Sequence, residues 1–158
     1  VYMQKYVVEF KNNLQKTAVI KDCYNRTIYT TKSKFGIGGK IVVVENEQRE
    51  SLAEVKRQMT IVAPKYKIEI KNKAPFCIKQ RIGFCVAYDF EGVSWEVVTS
   101  ADCKMFIVMN ENQERIFEMK REKGGGITRY EVLALSNSEP LIGICITIAI
   151  NGAIRAIS

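Results

Sequence analysis

The amino-acid sequence predicts a mainly β protein in which short strands form a sandwich or barrel that encloses one hydrophobic C-terminal helix. Three observations predict this fold class: an ungapped internal repeat, short strands at regular spacing between turn residues, and one long apolar segment near the C terminus. The 158 residues match the usual size of one domain with a single core. No linker or low-complexity stretch divides them, so we predict one domain over residues 1–158.

Residues 40–70 and 104–134 are two copies of one unit at a constant offset of 64. About two identities would be expected by chance from average residue frequencies. The observed identities are nine: Lys40/Lys104, Val44/Val108, Asn46/Asn110, Glu47/Glu111, Glu50/Glu114, Glu54/Glu118, Lys56/Lys120, Arg57/Arg121 and Tyr66/Tyr130. Such a repeat predicts that the same supersecondary unit occurs twice in the fold.

Each copy is predicted to contain three strands separated by two turns. In the first copy the strands are 40–44, 51–59 and 65–71, with a polar turn after Val44 and Pro64 before the last strand. In that last strand, apolar Tyr66, Ile68 and Ile70 alternate with Lys65, Lys67, Glu69 and Lys71. This period of two is typical of a strand with one buried and one solvated face.

The second copy has strands at 105–109 and 129–135, and a run of three glycines, Gly124–Gly126, precedes the last one. A glycine run of this kind could cradle a phosphate. In the first copy Ile61, Val62 and Ala63 align with Gly125, Gly126 and Ile127, so we favour a tight or mobile hairpin. Further strands are predicted at 17–21, 27–32, 77–82, 84–90 and 94–99.

The C-terminal segment 141–157 is apolar on every side and is predicted to be a helix inside the lumen of the barrel. Ser138 is the expected N-cap, with Glu139 and Pro140 in the first turn. The segment is shorter than the roughly 20 residues of a membrane span, and Asn151 and Arg155 interrupt it, so no transmembrane segment is expected.

Three features together resemble those of a known family. They are hairpins whose turns begin with Asp or Asn, the sequence motif from Val55 to Ile68 that includes Pro64-Lys65-Tyr66, and the hydrophobic C-terminal helix. From about Ala18 to Ile157 the chain is similar to the LURP-one-related family of the tubby C-terminal-like superfamily, which is related to phospholipid scramblases. The resemblance implies a closed antiparallel barrel of about twelve strands around a central helix. Tubby-like barrels bind phosphoinositides at a surface of lysines and arginines, but those positions have no residue-by-residue match in this chain, so the ligand is not carried over. The glycine usual in the polar turns is replaced near Asn25, Gln48 and Gln113, which leaves the turn types open.

Composition excludes much familiar chemistry. The chain contains no histidine, no Walker A motif, no zinc-ligand spacing and no EF-hand loop. The five cysteines form no C-x-x-C pair, and Cys77, Cys85 and Cys145 are predicted to be small core residues in a reducing compartment. Trp95 is expected in the core. We therefore predict no catalytic site, metal or cofactor, and a cytoplasmic location, with possible attachment to the membrane periphery.

The net charge of +7 is unevenly distributed, because residues 1–40 and 65–81 are basic whereas residues 82–119 are acidic. The leading hypothesis is a binding or scaffold module, without catalysis, whose basic strand face meets anionic phospholipid headgroups. The predicted ligand-binding residues are Lys65, Lys67, Lys71, Lys79 and Arg81. A nucleic-acid-binding or protein-interaction module is the alternative. The repeated Glu54, Lys56 and Arg57 are interpreted as the solvent face of equivalent strands rather than as a duplicated site.

Overall fold

A computed structural model describes residues 3–11, 17–60, 63–81 and 87–157 of the chain. Twelve strands are followed by one helix. The strands are β1 (Met3–Lys11), β2 (Ala18–Lys21), β3 (Thr27–Gly36), β4 (Gly39–Glu45), β5 (Ser51–Gln58), β6 (Lys65–Ile70), β7 (Phe76–Gln80), β8 (Tyr88–Glu91), β9 (Glu96–Thr99), β10 (Met105–Met109), β11 (Arg115–Gly124) and β12 (Ile127–Leu135), and the helix is α1 (Pro140–Ile157).

The strands form a closed antiparallel barrel in which each strand pairs with its neighbours in sequence. The barrel closes between β1 and β12, where the register runs from Met3 opposite Leu135 to Lys11 opposite Ile127. Closure leaves no exposed sheet edge in the barrel. The predicted β-barrel with a C-terminal helix is therefore confirmed, whereas β1 was not predicted because nothing in residues 3–11 resembles the repeat.

The helix occupies the lumen of this barrel, as predicted. Ile144, Ile146 and Ile150 are almost fully buried, and the helix contacts β1, β5, β6, β7 and β12. Glycine permits close contact: a Cβ atom at Gly143 would lie 2.5 Å from the Phe117 ring. The Thr147 hydroxyl donates a hydrogen bond to the Gly143 carbonyl at 2.8 Å, so this buried polar group is satisfied within the helix.

The start of the helix differs from the sequence-based expectation. Pro140 is its first residue, which is the position that proline favours, and Glu139 precedes it instead of lying in the first turn. The Ile142 backbone N–H donates to the Glu139 carbonyl, so Glu139 takes the N-cap place predicted for Ser138. The Ser138 N–H instead donates to the carbonyl of Leu135, which tightens the turn after β12.

Polar turns at one end of the barrel share one geometry. The side chain of Asn46 accepts hydrogen bonds from the backbone N–H groups of Gln48 and Glu50, and Asn110 and Asp22 make the equivalent bonds in their own turns. Left-handed residues in these turns are Asn25, Arg49 and Gln113, with φ of 62°, 61° and 62°. The sequence therefore located two of the three glycine-replacing positions, and the third is Arg49 instead of Gln48.

The barrel has two distinct ends. The helix-start end carries the turns 22–26, 46–50, 71–75, 92–95 and 110–114 and the connection into α1. The helix-finish end carries the β3–β4 hairpin with Ile37 and Gly38 at its tip, the 100–104 connection and the β11–β12 hairpin with Gly125 and Gly126. Both of these glycines have positive φ, and a Cβ atom on either would meet no other atom, which confirms a tight hairpin.

Two predictions about side chains in the core have mixed outcomes. Trp95 packs edge-on against Phe76 and Phe90, as expected, and Cys145 is buried in the helix. Cys77 is not a core residue, because it lies on the outer side of β7 between the buried Phe76 and Ile78. Cys85 lies outside the described residues. The described cysteines, Cys23, Cys77, Cys103 and Cys145, form no disulfide with one another.

A helix that fills the lumen makes a strong prediction about stability. Ile146→Ala should lower the free energy of unfolding by about 2–5 kcal/mol, because the truncation leaves a cavity that the surrounding strands cannot fill. Val98→Ala on β9 is the matched control, since Val98 is half exposed. Urea unfolding followed by circular dichroism measures both variants, and an equal loss in both would contradict a buried helix.

Removal of the helix tests the same point without a substitution. A 1–140 fragment should aggregate, because the lumen side of the strands would be open to water. A monomeric fragment that unfolds cooperatively would show that the barrel does not depend on the helix. Size-exclusion chromatography and thermal unfolding distinguish the two results.

Candidate functional site

The structure brings together three of the five predicted ligand-binding residues. Lys65 and Lys79 lie opposite each other on the outer sides of β6 and β7, and Arg81 follows the end of β7. Together with Thr60 and Ala63 they line an open groove of about 410 Å³. We refer to Lys65, Lys67, Lys79 and Arg81 as the strand face, since Lys67 is the next outward residue of β6. Lys71 does not belong to it, because this residue lies in the turn after β6 at the helix-start end.

Carboxylates neutralise each cation of the strand face. Lys65 Nζ lies 2.7 Å from Glu91 Oε2, and Lys79 contacts the same carboxylate at 3.5 Å. Arg81 contacts Asp89 at 2.7 Å. Hydrogen bonds from these cations hold the pKa values of Glu91 and Asp89 below their ordinary range, so both acids stay charged at neutral pH. Lys67 and Lys71 pair in the same way with Glu69 and Glu50.

A different set of cations lies at the helix-finish end, where the internal repeat produces two equivalent rows. Arg57 lies opposite Tyr66 in the β5–β6 pairing, and Arg121 lies opposite Tyr130 in the β11–β12 pairing. A lysine completes each row. The backbone N–H of Arg121 donates to the carbonyl of Lys104, just before β10, at 2.7 Å, and Lys40 of β4 has the corresponding place beside Arg57. The first row is Lys40, Arg57 and Tyr66, and the second row is Lys104, Arg121 and Tyr130.

The second row is closed by a hydrogen bond to the helix. The Tyr130 hydroxyl donates to Asn151 Oδ1 at 3.1 Å, and both residues are buried. Burial raises the pKa of Tyr130 to about 12, and the nearby Arg121 guanidinium opposes that shift. Arg121 Nε is itself buried without a hydrogen-bond partner. This side of the lumen is therefore filled by contacts between row and helix.

The first row faces a glycine of the helix, and a pocket opens there. A Cβ atom at Gly152 would lie 2.6 Å from the Tyr66 hydroxyl, so no larger side chain fits without displacing the ring. A cavity lies beside this contact, and we call it the mouth pocket; its volume is about 180 Å³. Its walls combine apolar Phe10, Val42, Val55 and Ile148, polar Thr31, Tyr66 and Asn151, and cationic Lys40, Arg57 and Arg155, next to Gly152. None of these described lining residues is an acid.

Exposed apolar side chains surround the same end of the barrel. Phe35 and Ile37 in the β3–β4 hairpin are 85% and 106% exposed, and Met59 after β5 is 83% exposed. The three residues belong to adjacent segments, since a Cβ atom at Gly39 would lie 3.4 Å from the Arg57 carbonyl oxygen. We call Phe35, Ile37 and Met59 the apolar tip. Large apolar residues grouped in solvent usually mark an interaction surface.

Charge is separated along the barrel axis. The turns of the helix-start end contain six acids, Asp22, Glu47, Glu50, Glu111, Glu114 and Glu139, and four cations, Arg26, Arg49, Lys71 and Lys73. The helix-finish end contains seven cations, Lys34, Lys40, Arg57, Lys104, Arg121, Lys123 and Arg155, and the acids described near them are Glu54, Asp102 and Glu122. An anionic partner is therefore attracted to the helix-finish end.

The sequence analysis did not find this site, and it misplaced one of its residues. Glu54 and Lys56 do lie on the outer side of β5, where Lys56 contacts Glu69 at 3.0 Å. Arg57 instead follows the inward residues Ala53 and Val55, and it lines the mouth pocket. Strict alternation along residues 53–57 already separates Arg57 from Lys56, so the period of two contained the signal.

Two classes of feature are absent from the described residues. They contain no group of three or more His, Cys, Asp or Glu side chains that could hold a metal ion. Within the described part of the chain, no helix has the length and hydrophobicity needed to cross a bilayer.

Comparison with known proteins gives one informative likeness. The X-ray structure of a protein from Arabidopsis thaliana matches with a TM-score of 0.65 at 11% sequence identity, covering 99% of this chain and 91% of that chain. At this identity the likeness shows the barrel fold alone. No protein-family model and no curated protein matches the sequence.

The hydrogen bond between Tyr130 and Asn151 can be tested by removing one hydroxyl. Tyr130→Phe should lower the free energy of unfolding by about 1–3 kcal/mol near neutral pH, because Asn151 remains buried without its donor. Tyr24→Phe is the control, since Tyr24 is 75% exposed. Urea unfolding measures both, and an equal effect would show that the bond contributes nothing.

The wild type and Tyr130→Phe should respond differently to alkaline pH. The pKa of Tyr130 is raised from 10.0 to about 12 by burial, so its stabilising contribution is complete below pH 10 and is lost as the pH approaches 12. The stability difference between the wild type and Tyr130→Phe should therefore shrink over this interval. A difference that stays constant would contradict the burial of the hydroxyl.

Proposed function

We propose that this protein is a binding module without catalytic activity, and that its helix-finish end attaches to a membrane surface containing anionic phospholipids. The observation that carries the proposal is the apolar tip, which lies beside Lys40 and Arg57 at the positively charged end of the barrel. Apolar side chains that enter the interfacial region and cations that meet lipid phosphates are the two ordinary requirements of peripheral attachment.

The strength expected of such an attachment is moderate. Each Lys or Arg near an anionic membrane contributes about 1 kcal/mol, and this contribution is screened by salt. Burial of an aromatic or aliphatic side chain such as Phe35 or Ile37 adds about 1.5–3 kcal/mol at most. Two apolar residues and several cations therefore support reversible, salt-dependent binding.

The strand face is a second candidate surface for the same partner. Lys65, Lys79 and Arg81 line a groove, but an anionic lipid would have to compete there with Glu91 and Asp89. Among the described residues, Arg57 at the mouth pocket forms no ion pair, and the apolar tip lies beside it. This difference in local charge is why we favour the helix-finish end.

We further propose that the chain is a distant member of the LURP-one-related group and that it acts in the cytoplasm. The likeness in fold spans 99% of the chain. In the Pro64-Lys65-Tyr66 motif, Pro64 immediately precedes β6, and β6 is one of the strands that contact the helix. The thiols of Cys23 and Cys77, which form no disulfide among the described residues, are in keeping with a reducing compartment.

Vesicle flotation tests the membrane proposal. The wild type should float with vesicles of phosphatidylcholine and phosphatidylserine at low salt, and less at high salt. Phe35→Ser combined with Ile37→Ser should reduce the floated fraction severalfold, because the apolar contribution is lost. The control is Tyr24→Ser, which removes an exposed aromatic side chain at the helix-start end.

Charge reversal distinguishes the two candidate surfaces. Lys67→Glu combined with Lys71→Glu should leave flotation nearly unchanged if the helix-finish end is the membrane contact. A loss of flotation in this variant, with normal flotation of the Phe35→Ser/Ile37→Ser variant, would reassign the contact to the strand face. Binding of short duplex DNA with a steep salt dependence, and no flotation, would favour the nucleic-acid alternative.

A further inference from the structure

We propose that the mouth pocket binds a phosphate monoester attached to a short apolar group. The ligand's phosphate would be held by Lys40, Arg57 and Arg155, and its apolar part would contact the buried wall formed by Phe10, Val55 and Ile148. This site goes beyond membrane attachment, because a ligand that enters the lumen requires no bilayer. The same chemistry is offered by a soluble phosphate ester and by a lipid with a single phosphate.

The donors of the pocket match a phosphate better than a carboxylate. Lys and Arg side chains only donate hydrogen bonds, and arginine binds phosphate through two parallel bonds. Asn151 uses Oδ1 to accept from Tyr130, so its NH₂ group is the part that can donate to a ligand. Arg57 supplies a forked guanidinium and Asn151 an amide, with Lys40 and Arg155 adding positive charge, and this set suits the three terminal oxygens of a phosphate monoester better than the two of a carboxylate.

The internal repeat explains why a pocket exists on this side of the lumen. The barrel presents a Lys–Arg–Tyr row twice, but the single helix cannot present the same residue to both rows. At the second row Asn151 accepts from Tyr130, whereas at the first row the Tyr66 ring packs against Gly152 and the mouth pocket lies beside that contact.

The size of the pocket limits the ligand. Its volume of about 180 Å³ exceeds that of the engineered cavity of about 150 Å³ that accommodates benzene in another protein. An apolar stem of about four carbons therefore fits against the wall, with the phosphate among the cations at the more exposed rim. Arg57 is exposed and Val55 is 1% exposed, which gives the pocket its polar-to-apolar gradient.

Calorimetry with n-butyl phosphate tests the proposal on the full chain in the absence of lipid. We expect n-butyl phosphate to bind at least about tenfold more tightly than inorganic phosphate, butyrate or n-butanol, because only this probe uses both the cations and the wall. Arg57→Gln should weaken binding about tenfold or more, and Arg57→Lys should weaken it less, since charge is kept without the paired hydrogen bonds. Lys5→Gln on the outer side of β1 is the control and should bind as the wild type does.

The outcomes are separable from those of the membrane proposal. The thermal midpoint of Arg57→Gln without probe reports any loss of fold, which we do not expect at an exposed side chain. Absence of n-butyl phosphate binding, or equal binding by the wild type and Arg57→Gln, would overturn the site. The Phe35→Ser/Ile37→Ser variant should bind n-butyl phosphate normally even if it no longer floats. Competition by monomeric dioctanoyl phosphatidic acid would assign a lipid source, and lack of competition a soluble ester; both uphold the pocket.

Discussion

Burial of one apolar helix inside a closed sheet is the constraint on which the rest of this structure depends. A barrel of twelve strands encloses more space than its own side chains fill, and α1 occupies that space. The helix can pack this closely against the strands only where it has glycine, as at Gly143, which lies against the Phe117 ring. Where the helix nears its end the filling becomes incomplete. The mouth pocket is a direct consequence of that geometry.

Duplication of the wall without duplication of the helix produces two unlike environments from one sequence pattern. The rows at Arg57 and Arg121 have the same neighbours on adjacent strands. The second row is bonded to the helix through Tyr130 and Asn151, whereas the first row packs its Tyr66 ring against Gly152 beside the mouth pocket. Identity between the repeats therefore preserves the residue types of each row but not their surroundings. The surroundings are decided by the helix residue that each row faces.

Position along the barrel also explains why the two groups of cations differ in charge balance. On the strand face, neighbouring strands lie about 4.8 Å apart, so outward side chains such as Lys79 of β7 and Glu91 of β8 reach each other easily. At the rim a side chain has no strand beyond it. Arg57 is exposed there, no acid is among the described residues that line its pocket, and its field therefore extends toward solvent.

The sequence by itself determined the local features: alternation in residues 65–71, the paired hairpins of the repeat and the apolar helix, each governed by neighbours within a few residues. It missed β1, placed the helix cap at Ser138 instead of Glu139, and grouped Arg57 with Lys56. Only the tertiary structure decided closure between β1 and β12, the separation of charge between the two ends and the mouth pocket. These depend on residues far apart in the chain, such as Phe10, Arg57 and Asn151, which meet only because the sheet closes around the helix. No local sequence pattern predicts these contacts, because they depend on the number of strands in the closed barrel and on the length of the helix inside it.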